Sequence, residues 1–256
     1  MPFGLLPLLL LSFGPLRPLP RTDHSFVVIA QKVGQRENCL SLIPDAIREG
    51  AEYVEFDLRE TRDKRIVALR DLTINRTTTA VGRIDDYDFA ELSFFKLRDS
   101  SSNETIPELD SLIRAAKGKV NLLLMIRSAA VAKILRQVEK YRIANSLVIG
   151  VSTAEDLAAV RSLSPEIPIA FSYSGNGSIE AIWNRTPFEV LLANGNPVSA
   201  TDLAAVKSMG VAVWGTAQES ESAPDLSALE KVGYSGMRTS TPKLMAMMRR
   251  KQKGLN

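Results

Sequence analysis

Glu55 and Asp57 stand two residues apart in Tyr53-Val54-Glu55-Phe56-Asp57-Leu58, an apolar run whose extended form puts both carboxylates on one face. Two carboxylates projecting together suggest a site for a hard divalent cation, Mg or Ca, bound through oxygen. Basic groups accompany them along the chain: Lys32 after Gln31, Arg70 before Asp71, and Arg127 two residues beyond Met125. Glu37-Asn38 and the stretch Asn75-Arg76-Thr77-Thr78-Thr79 add polar groups too dense to be hidden in a core. His24 is the only histidine and Cys39 the only cysteine. Chemistry that needs two histidines, an intramolecular disulfide and a His/Cys zinc cluster are therefore all excluded.

The elements that must position these groups alternate along the chain. Apolar, β-branched runs read as strands at Phe26 to Ala30, Tyr53 to Leu58, Ile66 to Leu69, Val120 to Ile126, Leu147 to Val151, Ile169 to Tyr173, Val190 to Ala193, Ala212 to Gly215 and Gly236 to Arg238. Amphipathic helical stretches separate most of them. One, Ile106 to Ala116, has Pro107 in its first turn, and another, Ala154 to Ser162, follows Thr153 with Asp156 at the capping-box distance. No Gly-rich phosphate fingerprint follows a strand. The pattern predicts a closed (β/α)8 barrel, with function at the C-terminal ends of the strands, where Gln31, Lys32, Glu55, Asp57, Arg70 and Arg127 fall. His24 precedes the first strand and belongs at the opposite end.

The length of 256 residues, 45% hydrophobic and 24% charged, suits one such barrel over residues 26–256. A net charge of +3, without a basic block except Arg249, Arg250, Lys251 and Lys253, does not imply nucleic-acid binding. Residues 1–25 read as a signal-like apolar and Pro-rich segment outside the fold. Their apolar run, Phe3 to Phe13, is too short to span a bilayer but has the length of a signal-peptide core, so export to the periplasm or beyond is expected, with the cytoplasm as the alternative. Four Asn-x-Ser/Thr sequons, at Asn75, Asn103, Asn176 and Asn184, would matter only in a secreted eukaryotic protein. Cys39 reads as a small buried residue, and Met245, Met247 and Met248 as a terminal helix packed on the barrel, followed by a solvated basic tail.

The order of these residues resembles the glycerophosphodiester phosphodiesterase family over most of Phe26 to Pro242. Val28 to Asn38 resembles the family's "(I/A)AHRG…ENT" opening, Gly50 to Asp57 its "GADYIELD", and Val67 to Thr78 its "VVIHDPTLDRTT". Ile106-Pro107-Glu108-Leu109 resembles "IPTLEE", Val211 to Thr216 the "VYVWTVN" strand, and Gly233 to Pro242 "GVDGIITDYP". The resemblance implies a TIM barrel that splits glycerophosphodiesters with a divalent cation, two histidines serving as general acid and base.

Against that pattern, the expected histidines fall on Gln31, which has no titrating proton, and Arg70, which stays protonated. The resemblance places metal-site carboxylates at Glu55 and Asp57 and a third, glutamate, at Met125, whose thioether is a poor ligand for hard cations. Lys32 replaces a phosphate-side arginine, keeping charge but losing bidentate geometry. The resulting expectation is a degenerate member whose carboxylates pair with Lys32, Arg70 or Arg127 in place of a cation. Its mouth, with Lys32, Glu37, Arg70 and Arg127, and with Trp214 as an apolar wall or else as barrel core, would bind a phosphate or phosphodiester group. The alternative is an active or rewired phosphodiesterase releasing glycerol 3-phosphate. Four nearby basic residues are expected to lower the pKa of any carboxylate recruited as an acid. Oligomeric state is not legible in the sequence.

Overall fold

The computed structural model describes residues 16–98, 103–175, 177–194, 198–217 and 225–252. Its strands are β1 (Val27–Ala30), β2 (Tyr53–Glu60), β3 (Ile66–Ala68), β4 (Asn121–Ser128), β5 (Leu147–Val151), β6 (Ile169–Tyr173), β7 (Val190–Ala193), β8 (Ala212–Thr216) and β9 (Gly236–Thr239). Eight of them pair in parallel around a ring, which closes because β1 pairs with both β2 and β9. The remaining strand, β3, turns back antiparallel on the long β2, with Leu58 opposite Ala68. The (β/α)8 barrel expected from the alternation is the fold observed, with this hairpin added to it.

Alternation along each strand sorts side chains between two cores, because neighbours point to opposite faces. Val54, Phe56, Leu58, Leu124, Ile126 and Ile149 face outward, against the helices. Ile29, Tyr53, Leu123, Met125, Val148 and Trp214 face inward and fill the barrel. Burial on both faces explains why the parallel strands read as near-continuous apolar runs.

The covering helices are α1 (Leu42–Arg48), α2 (Phe89–Leu92), α3 (Leu109–Ala116), α4 (Val131–Tyr141), α5 (Ala154–Leu163), α6 (Ile179–Arg185), α7 (Ala200–Ser208), α8 (Leu226–Lys231) and α9 (Pro242–Gln252). Thr153 caps α5 as its sequence predicts, its Oγ1 accepting from Asp156 N at 3.0 Å. Helix α3 begins later than expected. Glu108 bridges Val67 and Pro107 O accepts from Ala68 N, so Ile106 to Glu108 extends along the hairpin before the helix starts.

Residues 16–25, expected outside the fold, cross the N-terminal end of the barrel. Tyr53 Oη donates to Pro20 O at 3.3 Å, Asn121 Nδ2 donates to Arg21 O at 3.1 Å, and Leu16 and Leu19 pack on the apolar cores. Residues 1–15, Asn176 and Lys253 lie outside the described residues. Cys39 is buried, as is Met245, but Met247 is exposed. Arg249 is not solvated tail. It is buried, donating to Phe26 O at 2.9 Å and to Glu52 Oε1 at 2.5 Å. Among the described residues no helix is long and apolar enough to cross a membrane.

Candidate functional site

Strand β2 delivers Glu55 and Asp57 to the C-terminal half of the barrel interior, each 2% exposed. Both are held by arginines. Arg127, at the end of β4, donates from Nε to Asp57 Oδ1 at 2.6 Å. Asn38 closes the other side of Asp57, its Nδ2 donating to Oδ2 at 3.3 Å while its Oδ1 accepts from Asp57 N at 2.8 Å. Across the barrel, Arg238 of β9 places Nη1 3.5 Å from Glu55 Oε1, and Gln31 Nε2 donates to the same oxygen at 3.3 Å. Arg238 also donates through Nη2 to Asn194 Oδ1 and Thr216 Oγ1, and Asn194 Nδ2 donates to Ser172 Oγ. These polar groups form a belt at the upper ends of seven strands or just past them.

Two atoms in this belt have no hydrogen-bond partner: Glu55 Oε2 and Arg238 Nε. Burial raises the Glu55 pKa above the usual glutamate value, and Asp57 adds to the rise. Arg238, Arg127 and Arg70 oppose it without prevailing. The expectation that nearby bases would lower a candidate acid therefore fails at Glu55, because complete desolvation outweighs them.

The third expected ligand position is filled by an apolar side chain. Met125 is fully buried inside the barrel, its sulfur lying against Gly150 of the neighbouring β5 so closely that a Cβ there would come within 2.0 Å of it. Glycine at 150 is what leaves room for the thioether.

Several rim residues take different roles from those expected. Arg70 is exposed, and among the described residues no ion pair joins it; the guanidiniums on the carboxylates are those of Arg127 and Arg238. The Arg70 carbonyl oxygen accepts from Arg59, whose Nε lies at 3.0 Å and Nη2 at 2.6 Å, and Arg59 Nη1 donates to Ser128 Oγ at 2.9 Å. Burial and neighbouring Arg127 lower the Arg59 pKa. Glu37 is buried and engaged by Arg76, which also binds Asp71 Oδ2 at 2.6 Å, so its carboxylate is already satisfied within the fold. These two acceptors raise the Arg76 pKa. Lys32 is half-buried just past β1, its amide donating to Thr239 O at 3.5 Å. Trp214, 1% exposed, is barrel core and not a mouth wall; its ring lies 5.0 Å from that of Tyr53 in the inward cluster. His24 sits at the opposite end, Nδ1 2.7 Å from Glu52 Oε1.

The divalent cation implied by the resemblance does not fit these residues. Arg127 binds Asp57 and Arg238 lies 3.5 Å from Glu55, the position where the resemblance puts a third carboxylate holds a thioether, and among the described residues no group of three or more His, Cys, Asp or Glu could hold a metal ion.

A model of the glycerophosphoryl diester phosphodiesterase family matches residues 23–243. The chain belongs to this family. A glycerophosphodiester phosphodiesterase of Bacillus altitudinis is 25% identical over 146 residues, which cover 52% of this chain and 60% of that protein. Another, from Caldanaerobacter subterraneus, is 24% identical over 148 residues, 54% of this chain and 61% of the other. The chain thus spans about three fifths of the length of these curated relatives. The solved structure of an Oleispira antarctica phosphodiesterase in complex with sn-glycerol-3-phosphate superposes with a TM-score of 0.77 at 20% identity, over 87% of this chain and 96% of that one. A Parabacteroides distasonis glycerophosphoryl diester phosphodiesterase gives 0.76 at 17% identity, over 91% and 90%. At these identities the structural likeness concerns the fold.

Proposed function

We propose that this member of the family has given up metal-dependent phosphodiester hydrolysis and that its mouth binds a phosphate or phosphodiester group. The observation that carries the reading is the pair of arginines, Arg127 on Asp57 and Arg238 on Glu55. They supply positive charge where the family's chemistry calls for a cation, and they do so with the carboxylates already desolvated. Proton transfer is missing at the two positions where the resemblance puts it: Gln31 does not titrate, and Arg70 retains its proton throughout the physiological range. What remains is a rim in which Arg59 binds the Arg70 carbonyl and lies near Arg127, with Lys32 just past β1. Arg70, exposed and outside any ion pair among the described residues, is free to grip phosphate oxygens bidentately. The Oleispira relative's glycerol 3-phosphate complex makes that product the first ligand to try.

The test is a melting curve with millimolar inorganic phosphate or glycerol 3-phosphate. The reading expects a rise in Tm that Arg70→Ala abolishes, whereas an unchanged Tm with both ligands contradicts it.

One observation favours a second reading, a rewired phosphodiesterase. Burial holds Glu55 towards its protonated form, as a general acid requires. That reading expects glycerol 3-phosphate release that disappears in Glu55→Gln.

A further inference from the structure

Helix α4 carries Lys133, Arg136, Gln137 and Lys140 at i, i+3, i+4 and i+7, a spacing that puts all four on one face over about 10 Å. The helix dipole does not explain this face. It favours cations only in the last turn, whereas Lys133 stands in the first. Across from the stripe lies the turn between β2 and β3, with Lys64 and Arg65, and the two elements together with Glu108 line a cavity of about 230 Å³.

The cations are held in place by acids around the cavity. Glu60 Oε1 lies 3.3 Å from Lys64 Nζ and its Oε2 3.5 Å from Lys133 Nζ, which also donates to Lys64 O at 3.2 Å. Arg65 donates to both oxygens of Glu108, each at 2.7 Å. Lys140 lies 3.3 Å from Asp110 Oδ1, and Arg114 engages the other oxygen of Asp110. Asp63, in the same turn as Lys64, accepts from Phe89 N at 3.0 Å, and Glu139 lines a different cavity with Arg142. With Asp63 counted, six cations meet four carboxylates here, which leaves a surplus of two positive charges.

Two groups on the wall of the cavity are left without a partner. Arg136 is exposed and, among the described residues, takes part in no ion pair or hydrogen bond. Gln137 Oε1 is buried and accepts no hydrogen bond. A ligand that answers both must bring anionic oxygens for the guanidinium and a proton for the amide oxygen. A phosphate group does both, because its charged oxygens accept from arginine and a protonated one donates. The stripe is longer than one phosphate. We propose that this cavity between the β2–β3 turn and α4 is a second anion site, for a small ligand bearing two or more phosphate groups. It shares no residue with the mouth, and the inference does not depend on what the mouth binds.

The test is isothermal titration of the full chain with inorganic pyrophosphate, in its native form and as Arg70→Ala and Arg136→Glu. Pyrophosphate is expected to bind the Arg70→Ala chain at one site, and more tightly than inorganic phosphate does. Adding Arg136→Glu to Arg70→Ala is expected to weaken that binding by about tenfold or more, since a charge-assisted hydrogen bond is lost and a like charge takes its place. Arg136 holds nothing else in the fold, so the melting curve of Arg136→Glu is expected to match that of the native chain. Absence of pyrophosphate binding overturns the proposal. Binding that disappears with Arg70→Ala alone overturns it too, since it then belongs to the mouth, as does an affinity unmoved by Arg136→Glu. Equal affinity for phosphate and pyrophosphate refutes the assignment of more than one phosphate group, and tighter binding of duplex DNA than of pyrophosphate refutes a small ligand.

Discussion

Asp57 and Arg127 meet at 2.6 Å although they are not opposite each other in the sheet: Asp57 is paired with Met125, and the arginine reaches back from two residues farther along β4. The guanidinium thereby occupies one oxygen of the carboxylate, and Asn38 Nδ2 the other. Strand β4 thus sets a thioether opposite Asp57 and, two residues on, the cation that meets its charge.

The Glu55–Arg238 pair is fully enclosed, so removing one partner leaves a buried charge without its counterpart. Arg238→Met is expected to destabilise the fold by about 3 kcal/mol, and Glu55→Leu in the same chain to recover most of that loss, as paired apolar replacements of buried ion pairs often do. Urea denaturation of the native chain and these two variants measures both effects. Equal destabilisation by the single and double changes would place the cost elsewhere, in the lost bonds to Asn194 and Thr216.

The raised Glu55 pKa has a definite sign in stability. The folded state holds this proton more tightly than the unfolded chain does, so the contribution is fully present below the ordinary glutamate value of 4.5 and is lost as pH rises through the higher folded value. Relative to Glu55→Gln, the native chain is expected to lose stability across that window and then run parallel to it. Parallel curves throughout would show that burial does not dominate at Glu55.

Met125 and Gly150 are fitted to each other. Gly150→Ala is expected to cost about 1–3 kcal/mol by overpacking, and Met125→Ala to relieve that cost when combined with it, a coupling that a double-mutant cycle in urea reads directly. Additive losses would mean that the thioether is free to move aside.

Divalent cations are expected to leave the melting temperature where it is. A folded-state metal site at a hundred times its dissociation constant adds about 2.7 kcal/mol, a displacement of several degrees for a domain this size. A Tm rise with millimolar Mg or Ca that Asp57→Asn removes would contradict the fit of arginines to these carboxylates.

The barrel was legible because its signal is repeated: every βα unit restates the same alternation, and errors at single boundaries, such as the start of α3, do not alter the closure. Glu55 and Asp57 were legible from their spacing, and Arg127 from its position at a strand end. Arg238 was not, although Gly236-Met237-Arg238-Thr239 carries the clue. A charged residue inside a strand buried on both faces must find a partner there, and Glu55, inside another such strand, is the carboxylate that meets it. Which arginine would reach which carboxylate depends on stagger between strands, and no local pattern encodes stagger. That is why Arg70, adjacent in the family pattern, turned out exposed while Arg238, remote in sequence, lies inside. The packing of residues 16–25 was hidden for a related reason: a proline-rich stretch has no periodicity, and its place is fixed by single bonds to Tyr53 and Asn121.

The most direct test of the central claim is glycerol 3-phosphate release from a glycerophosphodiester by the full chain, with Mg or Ca present. Loss of one acid/base group costs about a hundred- to ten-thousandfold in rate, so with neither family histidine in place the expected release is indistinguishable from the protein-free blank. Turnover that requires added metal and vanishes in both Glu55→Gln and Asp57→Asn would contradict the account, because those carboxylates would then be serving a cation and not their arginines.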